Sequence, residues 1–246
     1  MARYVGNIDL FFRKDNLEAY QTSNENVIRR LRQGNIYLGE GIDPCKETDI
    51  EEVRLQRAVS LLQKSGGRLL KQNSEKAVGQ RLKKLLRGVF GFDQNHFPGN
   101  RSIHTGLLAS EGRALLLGFD FNPHSRPGEM LGNAVKLDLK NGTLCLSDFS
   151  PALLLSKTPR TSRLKVRLLL SRVDFLSGEY MTYMSKEEVL TAADPVRDVH
   201  LKIGQCPEGD GYLFAYLWLG FERDDAVAVP ELLWYVDDVF RVVGCL

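Results

Sequence analysis

The feature that most constrains this sequence is a change in the period of its apolar residues near residue 104. Between residues 48 and 91 apolar residues recur at helical spacing, as in Val78, Leu82, Leu86 and Val89. After residue 104 they alternate with polar residues, which is typical of strands that have one buried face. No helical stretch separates the later strands to support a parallel sheet. We therefore predict an α+β fold.

Eight runs after residue 104 have the alternation and the β-branched or aromatic content of strands. They are Arg113–Phe121, Ala134–Leu139, Thr143–Leu146, Arg163–Ser171, Glu179–Met184, Val199–Ile203, Tyr212–Phe221 and Trp234–Val243. Asn141-Gly142 predicts a type I′ hairpin turn, because both residues tolerate a positive φ. Leu176-Ser177-Gly178 predicts a second turn. Short antiparallel strands joined by turns favour an immunoglobulin-like β-sandwich.

The first 22 residues predict an N-terminal β-hairpin. Residues 4–12 are rich in β-branched and aromatic residues, residues 14–16 have turn chemistry, and residues 17–22 alternate with period two. A two-stranded hairpin is marginally stable in water, so we expect it to pack either on its own sandwich or on that of a neighbouring copy. Residues 33–47, with three glycines and a proline, predict a linker.

A helix pair is expected between this linker and residue 100. Thr48 or Asp49 is the predicted N-cap of the first helix, and Gly66-Gly67 interrupts its pattern. A second helix is expected to begin near Ser74 and to end at Gly88 or Gly91. We therefore divide the chain into an N-terminal hairpin and basic helical region, residues 1–100, and a β-sandwich domain, residues 101–246.

Charge is distributed unevenly along the chain. The 33 basic and 31 acidic residues nearly balance, but residues 54–87 contain a single acid, Glu75. The ten basic residues of this stretch are Arg54, Arg57, Lys64, Arg68, Lys71, Lys76, Arg81, Lys83, Lys84 and Arg87. They are expected to face solvent, to dock on an acidic protein surface of the same or a neighbouring copy, or to bind a polyanion. The stretch has no aromatic residue, so base stacking is not expected.

The chain shows no motif of an enzyme or a metal site. Nucleophile elbows and phosphate-binding loops are absent. No two cysteines have CxxC spacing, so we expect free, buried thiols, with disulfides left open for an exported protein. The paired acids Asp224-Asp225 and Asp237-Asp238 would point to opposite faces of a strand. No histidine pairs with another histidine or an acid at i+3 or i+4 on a convincing helix, so the usual metal spacing is missing. The cysteines are Cys45, Cys145, Cys206 and Cys245, and the histidines are His96, His104, His124 and His200.

Several strand-and-turn segments occur together with the basic helices in this chain. They are Gly6–Phe12, Gly112–Asn122, Leu137-Asp138, Asn141-Gly142, Ser147–Pro151 and Val173–Phe175. In this order they resemble an uncharacterised family of small proteins from Bacteroidota. The resemblance implies an N-terminal hairpin, central basic helices and a C-terminal β-sandwich, and it implies no known activity.

These observations favour a non-enzymatic structural protein that self-associates into a ring, tube or filament through its hairpin and basic helices. The alternative is a module that binds nucleic acid or another polyanion through residues 54–87. A third hypothesis is carbohydrate binding through loops carrying Trp218 or Trp234, although both lie in apolar runs typical of a core. We expect a homo-oligomer without cofactor or metal. Because no signal peptide or membrane span is seen, we expect it in the cytoplasm.

Overall fold

The computed structural model of the chain describes residues 2–4, 10–14, 17–21, 26–30, 47–67, 69–70, 77–122, 131, 135–156, 158, 161–223 and 239–246. The helices are α1 (Glu47–Ser65), α2 (Val78–Phe90), α3 (Ile103–Gly106), α4 (Ser110–Leu116) and α5 (Pro151–Ser156). The first strands are β1 (Ala2–Tyr4), β2 (Leu10–Lys14), β3 (Leu17–Gln21) and β4 (Asn26–Arg30). The later strands are β5 (Val135–Asp138), β6 (Thr143–Phe149), β7 (Thr161–Asp174), β8 (Glu179–Met184), β9 (Glu188–Thr191), β10 (Arg197–Lys202), β11 (Tyr212–Arg223) and β12 (Val239–Cys245).

The two long helices form where the sequence predicts them. In α2 the buried residues Val78, Leu82, Leu86 and Val89 recur at helical spacing and form one apolar face. Helix α1 begins at Glu47, slightly earlier than the predicted N-cap, and α2 ends with Gly91 as its C-cap, as predicted. The predicted start of the second helix, Ser74, lies outside the described residues.

The predicted strand Arg113–Phe121 is wrong in its first half, which forms helix α4. Apolar residues alone do not distinguish a short buried helix from a strand, and close packing decides here. A Cβ atom at Gly112 would lie 2.1 Å from the carbonyl oxygen of Gly106, so only glycine allows this approach of α4 to α3. The second half turns at Gly118, which has a φ of 77°, and its last residues cover the edge of β12, where the amide of Phe121 donates to the carbonyl of Phe240 at 2.9 Å.

The strands form two antiparallel sheets. The large sheet has the order β1-β4-β3-β2-β8-β7-β11-β12, and β9 pairs with β7 beyond the end of β8. The small sheet has the order β10-β6-β5. Of the predicted N-terminal hairpin, the turn residues 15–16 and part of the first strand lie outside the described residues, so the hairpin stays a prediction. The expected α+β class, with antiparallel sheets after the helices, is confirmed.

Strand β11 lies at the centre of the molecule and contributes to two hydrophobic cores. Alternate side chains, from Tyr212 to Trp218, face helices α1 and α2 in what we call the helix-side core. The intervening side chains, from Leu213 to Leu219, face the small sheet in the sheet-side core. The molecule therefore has three layers, which are the helices, the large sheet and the small sheet.

The helices before residue 100 share the helix-side core with strands after it. Buried residues of α1 such as Leu55 and Leu62 belong to the same cluster as Phe214 and Tyr216 of β11. The division of the chain into domains at residue 100 stays a prediction, and so does the immunoglobulin-like arrangement of the sandwich.

The turn between β5 and β6 is not of type I′. Asp138 pairs with Thr143, so the loop has four residues, and Gly142 has a φ of 62° while Asn141 does not have a positive φ. The Asp138 carboxylate accepts hydrogen bonds from the amides of Lys140 and Asn141. These bonds stabilise a longer loop in place of the two-residue turn, because they satisfy amides that face no strand partner.

The turn between β7 and β8 repeats this design. The Asp174 carboxylate accepts from the amides of Leu176 and Ser177, and Gly178 has a φ of 74°. Burial alone would raise the pKa of Asp174, but hydrogen bonds from the Ser177 side chain and from these two amides lower it on balance. The turn predicted at residues 176–178 is confirmed.

Candidate functional surfaces

The basic helix pair keeps part of its charge within the protein. Lys83 and Arg87 of α2 both form ion pairs with Glu52 of α1, and the Arg87 pair measures 2.8 Å. The hydrogen bond from Lys83 is the main reason that the pKa of Glu52 lies below its ordinary value. These contacts join α1 to α2, so neither cation is wholly available to an external partner.

Arg54 of α1 and its neighbour Glu51 organise the loop that follows α2. Arg54 donates to the carbonyl of Asn100 at 2.6 Å and to that of Arg101 at 3.1 Å. Glu51 accepts from the Gly99 amide at 2.8 Å and from the Arg101 guanidinium at 3.0 Å. Burial alone would raise the pKa of Glu51, but these hydrogen bonds lower it on balance. Arg54 therefore has a structural role.

Arg81 of α2 contacts the segment that covers β12. It donates to the carbonyls of Asp120 and Phe121 at 2.9 and 3.2 Å, and its guanidinium lies 5.2 Å from the ring centre of Phe119. Arg241 lies 3.5 Å from the Asp120 carboxylate. Burial raises the pKa of Asp120 to about 6, against the opposing attraction of Arg241 and Arg81.

The remaining predicted contact residues divide into two groups. Arg57, Lys64 and Lys84 are exposed and form no ion pair with a described residue. Arg68, Lys71 and Lys76 lie outside the residues whose side chains are described. The basic surface of this part of the chain is therefore smaller than ten charges, with Arg57, Lys64 and Lys84 as its clearest exposed cations.

The cysteines are free where the structure describes them. Cys145, Cys206 and Cys245 are partly buried thiols, and Cys45 lies outside the described residues. Burial raises the pKa of Cys245 to about 12, which makes its thiol a poor nucleophile.

Two of the histidines have structural contacts. His96 lies 3.0 Å from the buried carboxylate of Asp93. The ring of His104 packs edge-on against Tyr212, whose hydroxyl donates to the His104 carbonyl at 2.5 Å. His124 lies outside the described residues.

The fourth histidine belongs to a cluster that sequence reasoning missed. His200, Cys145 and Asp198 place one potential ligand atom each within 4.8 Å of one another on the exposed face of the small sheet. Cys145 and His200 are 55 positions apart, so no local spacing indicates the cluster. The only signal in the sequence is Asp198-Val199-His200, which puts two potential ligands on the same face of a strand.

The tryptophan that is described does not offer a carbohydrate platform. Trp218 is 6% exposed and lies in the helix-side core. A Cβ atom at Gly220 would lie 2.3 Å from the Trp218 ring, so glycine at this position makes room for it. Trp234 and the acid pairs at 224–225 and 237–238 lie outside the described residues.

Comparisons with known proteins do not assign this chain to a family. No family model, no curated protein and no solved structure matches it. The resemblance to Bacteroidota proteins therefore stays a prediction. Among the helices that the structure describes, none has the length and apolar character needed to cross a membrane.

Proposed function

We propose that this protein is a non-enzymatic structural protein that self-associates into a ring, tube or filament through its N-terminal strands and basic helices. The observation that supports this proposal best is the way the N-terminal strands join the rest of the chain. They pair with the main body of the large sheet through β2 and β8, from Leu10↔Tyr183 to Arg13↔Tyr180. Without β2, the amides and carbonyls along this edge of β8 would lack partners.

A strand from another copy would satisfy the β8 edge as well as the chain's own β2. Sixteen residues, 31–46, separate β4 from α1, and they can span at most about 55 Å at roughly 3.5 Å per residue. That reach exceeds the width of a small domain. If each copy donates its N-terminal strands to the next, the contact is heterologous and generates a closed ring or an open filament.

The basic helices and the sandwich have defined parts in this proposal. The sandwich, with the immunoglobulin-like arrangement expected from the sequence, is the body of each subunit. The exposed cations Arg57, Lys64 and Lys84 would face the neighbour, since residues 101–246 have three more acidic than basic residues. Such contacts weaken with salt, because the Debye length falls to about 8 Å at physiological ionic strength.

The test is a designed disulfide between register partners of β2 and β8. Phe12 and Met181 lie opposite each other, and opposed strand residues have the Cα separation that a disulfide needs. We expect the F12C/M181C double variant, oxidised at high micromolar concentration and low salt, to form a ladder of covalent oligomers on a non-reducing gel. Each single variant is a control, and it should form no more covalent oligomers than the natural chain forms through its own cysteines.

Two results would overturn the proposal. One is a double variant that closes quantitatively into a monomer, which would show that β2 pairs with its own β8. The other is a strictly monomeric natural chain by light scattering at high micromolar concentration and low salt. Deletion of residues 1–22 should abolish any assembly seen by negative-stain imaging.

Polyanion binding through α1 and α2 is the second proposal, and it depends on the exposed cations of these helices. The triple variant R57E/K64E/K84E should lose binding to a fluorescent duplex oligonucleotide, while K186E, which changes an exposed lysine away from the helices, should not. With about three phosphate contacts, affinity should fall steeply with salt. Affinity that stays flat with salt, or that survives the triple change, would exclude this second proposal.

A further inference from the structure

The outer face of the small sheet has a different composition from its inner face. Along β6 and β10 the inward residues Leu144, Leu146, Val199 and Leu201 are buried in the sheet-side core. The residues between them point outward, and Cys145 of β6 lies directly opposite His200 of β10. A thiol and an imidazole are thus register partners on a rigid, two-sided strand pair.

The third ligand group lies next to a β-bulge. The register of β10 against β6 shifts between Arg197 and Val199, and the extra residue is on β6, where Ser147 and Asp148 together face Asp198. Opposite it, Asp148 has a φ of 49°, the one positive φ among the described non-glycine residues. The Asp148 amide donates to Asp198 Oδ1 at 2.9 Å, which leaves Oδ2 without that bond. Asp198 lies two residues before His200 on β10, so strand alternation places both side chains on the outer face.

The three groups converge closely enough to share one ion. The sulfur of Cys145, a ring nitrogen of His200 and a carboxylate oxygen of Asp198 all lie within 4.8 Å of one another. Around tetrahedral zinc, with bonds of about 2.0–2.3 Å, ligand atoms are roughly 3.4–3.8 Å apart. The ligand atoms must therefore approach one another by about 1 Å. Asp198 and His200 are exposed, so rotation of their side chains can shorten these distances without moving the sheet.

The donor set selects among metals. One sulfur, one nitrogen and one oxygen ligand suit a borderline ion such as Zn²⁺, whereas Ca²⁺ and Mg²⁺ require oxygen ligands alone. Three protein ligands leave the fourth tetrahedral position open, as in zinc sites that bind a water or an external ligand. A cleft lined by Cys145 and His200, and by Lys136, Asp138 and Thr143, lies beside this position.

We propose that Cys145, Asp198 and His200 bind one zinc ion on the outer face of the small sheet, with the fourth position open to the adjacent cleft. Lys136 of β5 is the register partner of Cys145 on the side away from His200. The Asp138 carboxylate also lines the cleft, so the cleft offers one positive and one negative side chain beside the open position. This site is independent of the proposed self-association.

The test uses Co²⁺ alone as a probe, because tetrahedral cobalt with a thiolate ligand has intense visible bands and a sulfur-to-metal charge-transfer band. The full chain, reduced and freed of metal with a chelator, is expected to bind one Co²⁺ with both signals and to release it on addition of one equivalent of Zn²⁺. C145S should lose the charge-transfer band. D198N and H200Q should each weaken binding by more than about tenfold, the lower end of the cost of losing even an outer-shell partner.

A matched thiol controls for binding elsewhere in the chain. Cys206, partly buried near the carbonyls of Leu139 and Lys140, is outside the cluster, so C206S should bind Co²⁺ as the natural chain does. Circular dichroism establishes that each variant is folded, and all three ligands are on a face whose residues are not part of either core. Absence of a charge-transfer band, or equal binding by C145S and the natural chain, would overturn the proposal.

Discussion

The two faces of the large sheet bury different kinds of side chain. Strand β11 presents Tyr212, Phe214, Tyr216 and Trp218 to the helices, whereas its fully buried residues on the face toward the small sheet are leucines and one alanine. On the helix side, aromatic rings of β11 and β12 contact one another. The ring centres of Tyr216 and Phe240, for example, lie 5.3 Å apart. On the sheet side, Phe149 is the one aromatic residue among the described residues that are buried in the core, and Tyr183 and Phe221 pack against it only partly buried.

The polar atoms of the helix side explain part of this difference. The C-terminus of α1 is buried against the sheet, and helix C-termini leave carbonyls without partners. Thr182 of β8 donates to the carbonyl of Ser65 at 2.8 Å, and Ser65 donates to that of Leu62 at 2.9 Å. The Tyr216 hydroxyl lies 3.3 Å from the Ser65 hydroxyl. A face that receives a helix end needs hydroxyl groups, and tyrosine supplies both a ring and a hydroxyl.

The sheet side has no such requirement. Its short helix α5 satisfies its own end, because Thr158 lies within hydrogen-bonding distance of the carbonyls of Leu154 and Leu155. The fully buried residues that β7 and β11 present to the small sheet can therefore all be aliphatic, with Tyr183 and Phe221 packed only at the margin of this core. The difference between the faces follows from which face receives a buried helix end, and the following substitutions test it.

The largest effect is expected from truncating a ring on the helix side. Phe214 is 1% exposed, and Phe214→Ala should lower the free energy of unfolding by roughly 3–5 kcal/mol, since it removes a large ring and leaves a cavity. Urea titration followed by circular dichroism measures the change. The control Leu176→Ala removes a side chain that is 70% exposed and should change the value by less than about 0.5 kcal/mol.

A smaller loss is expected on the sheet side. Leu217 is fully buried, and Leu217→Ala should cost roughly 3 kcal/mol in the same titration, because less apolar volume is removed than at Phe214. A larger loss at Leu217 than at Phe214 would contradict the view that the aromatic face is the larger source of stability.

Removing the hydroxyl that caps α1 should have the next largest effect. Thr182→Val keeps the shape of the side chain but leaves the Ser65 carbonyl and the Ser171 hydroxyl without this partner. The expected cost is about 1–3 kcal/mol, that of an unsatisfied buried group. Thr161→Val, at a partly exposed position of β7, is the matched control. Equal costs for the two substitutions would mean that the buried helix end does not require the hydroxyl.

The smallest effect concerns a charge at the margin of the helix side. The pKa of Asp120 is about 6 in the folded chain, compared with an ordinary value of 3.8 for an unfolded chain. The folded state therefore binds the carboxyl proton more tightly than the unfolded state does. Its contribution to stability is therefore full below pH 4 and is lost as the pH rises to about 6. Asp120→Asn should remove this decline, a difference on the order of 1 kcal/mol after screening by solvent. Parallel stability curves for the two proteins between pH 4 and 7 would contradict the assignment.

The sequence predicts most of the architecture because apolar period reports local structure directly. The strand Glu179–Met184 is predicted with its observed bounds, and α2 follows from the spacing of its leucines. The failures occur where the deciding contact is remote. Helix α4 depends on the approach of Gly112 to Gly106, and the β5–β6 turn depends on hydrogen bonds to Asp138.

Sites are harder to predict than elements in this chain. The ten basic residues can be identified from the sequence by charge alone. The ion pairs that two of them form with Glu52, and the hydrogen bonds that Arg54 and Arg81 donate to backbone carbonyls, cannot, because the partners belong to other elements. The cluster of Cys145, Asp198 and His200 exists only once β10 is paired with β6 in a given register. Side-chain types do not specify that register, because neither strand carries a distinctive pairing signal.

Because β11 contributes side chains to both cores, it affects how the protein unfolds. Because neighbouring residues such as Tyr216 and Leu217 belong to opposite cores, neither core can be dismantled while the strand between them keeps its partners. If β11 separates from its neighbours, apolar side chains of both cores become exposed, so the two cores unfold as a single cooperative unit. The amide protons of these two residues should then exchange with deuterium at one common free energy, that of complete unfolding. A fragment beginning at residue 101 would leave an aromatic surface in water and should collect into aggregates before it folds.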